Sequence, residues 1–139
     1  MWLFYAFMSA ISASFVAIFA KLGLKGADPT LATTIRAVIM TIFFVVVSLF
    51  LKKFHGFSFG TFSSKDWVLI FLSAIAGAVS WLFYFWALKL GLASKVSVID
   101  RLSFVFVILL AAVFLGEALK LKTIFGVLVM IAGVLLIIL

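Results

Sequence analysis

Five stretches of this chain run for 17 residues or more with few or no charges, and that recurrence leaves little freedom of fold. They cover about residues 2–20, 31–51, 67–88, 93–115 and 123–139. At about 1.5 Å per residue, each is long enough to cross a hydrocarbon layer about 30 Å thick. A backbone in lipid must satisfy its own N–H and C=O groups, which leaves helices or closed barrels. The short alternating units of a barrel are not visible. The reading is an all-α integral membrane protein with five transmembrane helices in one domain over residues 1–139.

Composition supports this. Hydrophobic residues make up 68% of the chain and charged ones 11%, far from soluble-domain usage. In water, so much apolar surface would stand exposed in large patches. The lipid bilayer is therefore the expected partner, and the expected location is a prokaryotic inner membrane. The formal charge of +7 is not a nucleic-acid signature, because the basic residues are scattered between apolar runs. Lysines at segment ends are expected to anchor at headgroups.

The connections are short. "KLGLKGADPT" carries a stop-and-restart signal in Gly26-Ala27-Asp28-Pro29-Thr30. "KKFHGFSFGTFSSKD" is the longest, with Ser63 and Ser64 placed to cap the third helix. "KLGLAS" and "GEALKLK" are tight enough to demand antiparallel neighbours. The first segment lacks a positive leader and is too long for a cleaved signal peptide.

Basic residues are almost evenly shared between the two membrane sides. Lys52, Lys53, Lys65, Lys120 and Lys122 fall on the side of the N-terminus; Lys21, Lys25, Lys89 and Lys95 fall on the other. The positive-inside rule then sets no clear orientation. Either the N-terminus is weakly favoured inside, or the chain has dual topology, with copies inserted both ways.

Small residues form stripes. Ser9, Ala13 and Ala17 lie four apart on the first helix, Ser73 and Gly77 on the third, and Gly126 and Gly133 seven apart on the fifth. Such stripes let backbones approach closely, so helix packing is their expected role. On the third segment Trp81, Tyr84, Phe85 and Leu88 share one helical face, with Trp86 on another. Tyr84 and Trp86 suit an interfacial belt; Trp81 and Tyr84 equally suit the apolar wall of a ligand path.

Ionisable residues inside a span are costly, about 2.5–3.5 kcal/mol at the centre on insertion scales, and so mark function by default. Arg36 lies about 7–8 Å into the second segment, and Asp100 and Arg101 about 10 Å into the fourth. All three enter from one membrane side, where Lys95 also lies, so they can form the polar end of a substrate path. Excess positive charge there favours anionic or zwitterionic solutes. Alternatively, Asp100 and Arg36 form a structural ion pair while Arg101 snorkels to headgroups. No catalytic set, metal-spaced cluster or phosphate-cradling loop is present, so neither enzyme activity nor a metal or other cofactor is expected. The chain has no cysteine, and the lone His55 sits in a connection.

"LGLASKVSVIDRLSFVFVILLAAVFLGE", "LKTIFGVLVMIAGVLLI" and the opening "ISASFVAIFAKLGLKGADPTLATTIRAVI" resemble the EamA-type domain of the drug/metabolite transporter superfamily over nearly the whole chain. The resemblance implies one half of a ten-helix inverted-repeat transporter, working as an antiparallel homodimer on small metabolites or amino-acid-like solutes. It raises the weight of dual topology, since such a pair requires near-equal charge on both sides. Many relatives carry a proline in the fourth helix; here the only proline is Pro29, so weak points are expected at Gly77, Gly91 or Gly116. Three rival readings remain. A proton-coupled small-multidrug-type exporter needs an acid within a helix, and the first three segments have none. A lipid-carrier flippase fits the basic excess near the path, and a non-transport scaffold fits the small-residue stripes.

Overall fold

The computed structural model describes residues 1–139, the side chain of Phe59 excepted. Six helices follow one another: α1 (Trp2–Gly23), α2 (Pro29–Phe50), α3 (Ser64–Leu90), α4 (Ala93–Asp100), α5 (Ser103–Phe114) and α6 (Leu121–Ile138). A single 3-10 turn at Phe59–Thr61 lies between α2 and α3, and no strand occurs among the described residues. Five spans are long and apolar enough to cross a membrane, with α4 and α5 together forming the fourth, Ala93–Phe114.

Local chemistry sets the boundaries. Asp28 is extended at φ −70°, ψ 131°, as a residue before proline must be. Its carboxylate accepts from the Leu31 N–H at 2.8 Å, and Pro29 opens the first turn, where its missing N–H costs nothing. Helix α3 starts at a reciprocal box. Asp66 N–H donates to Ser63 Oγ at 3.2 Å, while Ser63 N–H and Oγ donate to Asp66 Oδ2 at 3.0 and 2.7 Å. This box starts the helix earlier than the hydropathy of residues 67–88 suggests.

The ends are equally specific. Lys53 N–H reaches back to Ser48 O at 2.9 Å and Lys52 N–H to Leu49 O at 3.0 Å, the paired bonds of a Schellman ending to α2. The pivot is Lys52 at φ 52°, a position that usually takes glycine. After α5 the pivot is Gly116 at φ 68°, so this glycine terminates a helix and does not bend one.

The fourth segment corrects the expectation of one helix over 93–115. It is interrupted at Arg101–Leu102, where neither glycine nor proline stands. The N–H groups of Arg101, Leu102, Phe104 and Val105 bond three residues back, to Val98, Ile99, Arg101 and Leu102, so the helix tightens through the charged pair.

Residues Phe19–Lys89 form one compact unit, and Met1–Ile18 with Leu90–Leu139 form a second. In the first, Leu24, Phe85, Leu88 and Pro29 are buried. Two lysines there work reciprocally. Lys21, in the last turn of α1, donates to the Leu88 carbonyl near the end of α3. Lys89, in the last turn of α3, donates to the carbonyls of Leu24 at 2.7 Å and Ala27 at 3.1 Å. Carbonyls at helix ends lack intrahelical donors and carry the negative end of the dipole, so an ammonium suits them. In the second unit α4 packs on α6, and Lys95 donates to the Ile138 carbonyl at 2.8 Å. Ala17 and Val134 are buried there. Lysines expected at headgroups are thus partly engaged by helix ends, which compete with lipid phosphate for the same charge.

Candidate functional site

Within the Phe19–Lys89 unit, the guanidinium of Arg36 on α2 lies over the ring of Trp81 on α3. Its guanidinium carbon is 3.7 Å from the indole centroid and 5.6 Å from the ring of Phe85. Two further rings of α3 meet the indole in T-shaped contacts. Tyr84 stands at 5.6 Å and 87° to it, Phe85 at 6.1 Å and 69°. Residues 81, 84, 85 and 88 recur at helical spacing, so one face of α3 carries both the buried anchors Phe85 and Leu88 and the platform for Arg36. A cation over a tryptophan face is worth about 2 kcal/mol when desolvated. That is comparable to the insertion cost of an arginine and explains how Arg36 is kept inside a span.

Beside the stack lies a cavity of about 680 Å³. On α2 its wall, besides Arg36, is Thr30, Thr33, Thr34, Ala37, Met40, Thr41 and Phe44, a stripe recurring at spacings of three and four. On α3 the wall is Ala74, Gly77, Ala78, Trp81 and Leu82, where small residues leave room. A Cβ added at Gly77 would meet nothing within 4 Å. The hydroxyls of Thr33, Thr34 and Thr41 donate to the carbonyls of Pro29, Thr30 and Ala37 at 2.7, 2.9 and 2.9 Å. Thr30 Oγ1 accepts from the indole N–H of Trp86 at 3.3 Å, so Trp86 ties α3 to α2. Arg36 is the one charged residue on this lining.

The structure therefore brings Arg36, Trp81 and Tyr84 together, with Tyr84 as a buttress behind the indole. Lys95, Asp100 and Arg101 belong to the other unit. There Lys95 caps α6, Asp100 ends α4 exposed, and the Arg101 guanidinium lies 5.7 Å from the Phe104 ring. Of the small-residue positions, Ala17 is buried, Ala13 and Gly133 are half-buried, and Ser9, Ser73 and Gly126 are exposed in the isolated chain. The residues that sequence reasoning missed are the threonines of α2. Their signal was present as hydroxyls at i, i+3 and i+4 in an otherwise apolar segment, flanking an intramembrane arginine.

Comparison with known proteins agrees with this architecture. A curated protein from Sinorhizobium sp., described as an uncharacterized transporter in the cobO 3' region, is 38% identical over 135 residues, covering 97% of this chain and 94% of the relative. No solved structure matches. The EamA-like transporter family matches residues 1–139, and the chain belongs to that family.

Proposed function

We propose that this chain is one half of a secondary transporter that moves small metabolites or amino-acid-like solutes by alternating access, assembled as an antiparallel homodimer of dual topology. The observation that carries the transport reading is the solute-sized cavity between two spanning helices, headed by a single guanidinium. Support for the pairing comes from the near-equal basic counts, five on one membrane side and four on the other, with Arg36 and Arg101 deeper. Five spans supply half of a ten-helix transporter, and a second copy in the opposite orientation supplies the rest. Arg36 and Trp81 form the substrate-facing part of each half, Tyr84 holds Trp81 in place, and Asp100 and Arg101 mark the interruption in the fourth span.

Two measurements test this. A compartment-sensitive reporter fused to the C-terminus gives signal from both sides of the membrane; signal from one side alone excludes a symmetric antiparallel pair. Purified protein in liposomes exchanges labelled amino acids or organic acids across the bilayer. Absence of flux for every solute tried excludes transport.

A further inference from the structure

We propose that the cavity between α2 and α3 binds an organic monoanion, with its carboxylate on the Arg36 guanidinium and its apolar body against Met40, Phe44 and Leu82. The proposal deepens the transporter reading and rests on it for the role of the bound molecule. The lining contains one cation and no acid. The two carboxylates of this unit are committed elsewhere. Asp28 accepts from the Leu31 N–H, and Asp66 is held by Ser63. Arg36 thus has no counter-ion from its own unit, and an unpaired charge away from water is costly.

The stack on Trp81 determines how that charge can be used. Trp81 lies 3.7 Å from the guanidinium carbon and offers a ring, not an oxygen acceptor, so the planar fork of N–H donors is left for an acceptor from the cavity. Arginine binds carboxylates in that plane, often through two parallel bonds. Three of the four lining threonine hydroxyls do not compete as donors, since Thr33, Thr34 and Thr41 give their protons to their own helix. They present methyl groups and oxygen lone pairs. A cationic ligand, or the ammonium of an amino-acid zwitterion, would meet a wall with no carboxylate, so among the solutes proposed above the lining favours organic acids over amino acids. The remaining surface is apolar, and the volume of about 680 Å³ is in the range of small-ligand sites. A monoanion with an apolar body satisfies all of these features together.

The test uses three probes of one shape: 4-fluorophenylacetate, its neutral amide, and 4-fluorophenethylamine. Their 19F line broadening is titrated against the intact protein in detergent micelles, with empty micelles as the partition baseline. The carboxylate is expected to bind at least about tenfold more tightly than either analogue. Arg36→Gln abolishes that preference, and Arg36→Lys, which keeps the charge but loses the planar fork, retains only part of it. Gly77→Leu fills the cavity and blocks the carboxylate while leaving Arg36 in place, so a folding failure of one variant does not decide the outcome. Equal binding of acid and amide, or an unchanged preference in Arg36→Gln, overturns the proposal. Liposome flux of the same acid separates the two readings. Arg36-dependent binding without flux retains the site and sinks transport, whereas flux indifferent to Arg36→Gln retains transport and sinks the site.

Discussion

Arg36 is tolerated in a span because its charge is attracted to the electron-rich face of an indole. The stack on Trp81 offsets about 2 kcal/mol, against an insertion cost of about 2.5–3.5 kcal/mol, so most of the penalty is met within the unit. Trp81 in turn depends on Tyr84 and Phe85, whose edges fix the plane of the indole. Lys52 shows the opposite economy. It holds a left-handed conformation, φ 52°, that costs an L-residue about 1 kcal/mol, at a helix end where glycine would cost nothing. Lys52→Gly is expected to raise stability by about 1 kcal/mol, less a few tenths for the lost charge at the C-terminus of α2. Thermal unfolding in micelles reads this as an upward shift of the midpoint; a downward shift would mean that the lysine side chain matters more than the backbone.

At the scale of elements, the fourth span is the one that departs from regularity. A run of i→i−3 bonds replaces the α pattern between Val98 and Val105. Asp100 and Arg101 sit where the negative end of α4 meets the positive end of α5, so for each charge the favourable and unfavourable dipole ends largely cancel. The charges therefore do not stabilise the interruption where it stands. Such a segment opens more easily than its flanks, because its bonds are poorer and its side chains gain nothing locally. Amides of Arg101–Val105 are expected to exchange with deuterium at least about tenfold faster than those of Phe106–Ala111. Uniform protection along the span would show that the two helices behave as one. Helix ends elsewhere are well tied: Asp28 and the Ser63–Asp66 box start α2 and α3, and Lys21, Lys89 and Lys95 serve carbonyls at or beyond helix ends.

For the molecule as a whole, the decisive fact is how little apolar surface is covered within one chain. Phe43, Phe44, Phe106 and Phe125 are each more than half exposed, and the buried apolar side chains of the described residues are Ala17, Leu24, Pro29, Phe85, Leu88 and Val134. Lipid accounts for such a surface, and the proposed second copy would cover part of it. The near-balance of basic residues makes orientation easy to bias. Three lysines added to the connection at residues 52–62 should fix one orientation, and three added at residues 22–28 the other. Each biased variant alone is expected to lose transport, and co-expression of the two should restore it. Full transport by either one alone would exclude the antiparallel pair.

Much of this was open to reading from the chain alone, because lipid imposes its demands on every residue of a span. Run lengths dictated five spans, Asp28-Pro29 and Ser63 dictated where two of them begin, and the cost of an intramembrane charge singled out Arg36, Asp100 and Arg101. Partners were a different matter. Whether Arg36 meets a carboxylate or an indole, and whether Lys21 meets a headgroup or the Leu88 carbonyl, depends on which turns of different helices come level. Periodicity within one helix carries no such information. The threonine stripe of α2 became a wall only when α3 presented Ala74, Gly77 and Ala78 opposite it, since a cavity is a property of two surfaces and not of either one. The break at Arg101–Leu102 likewise had no glycine or proline to announce it, and its backbone geometry was decided in the folded span.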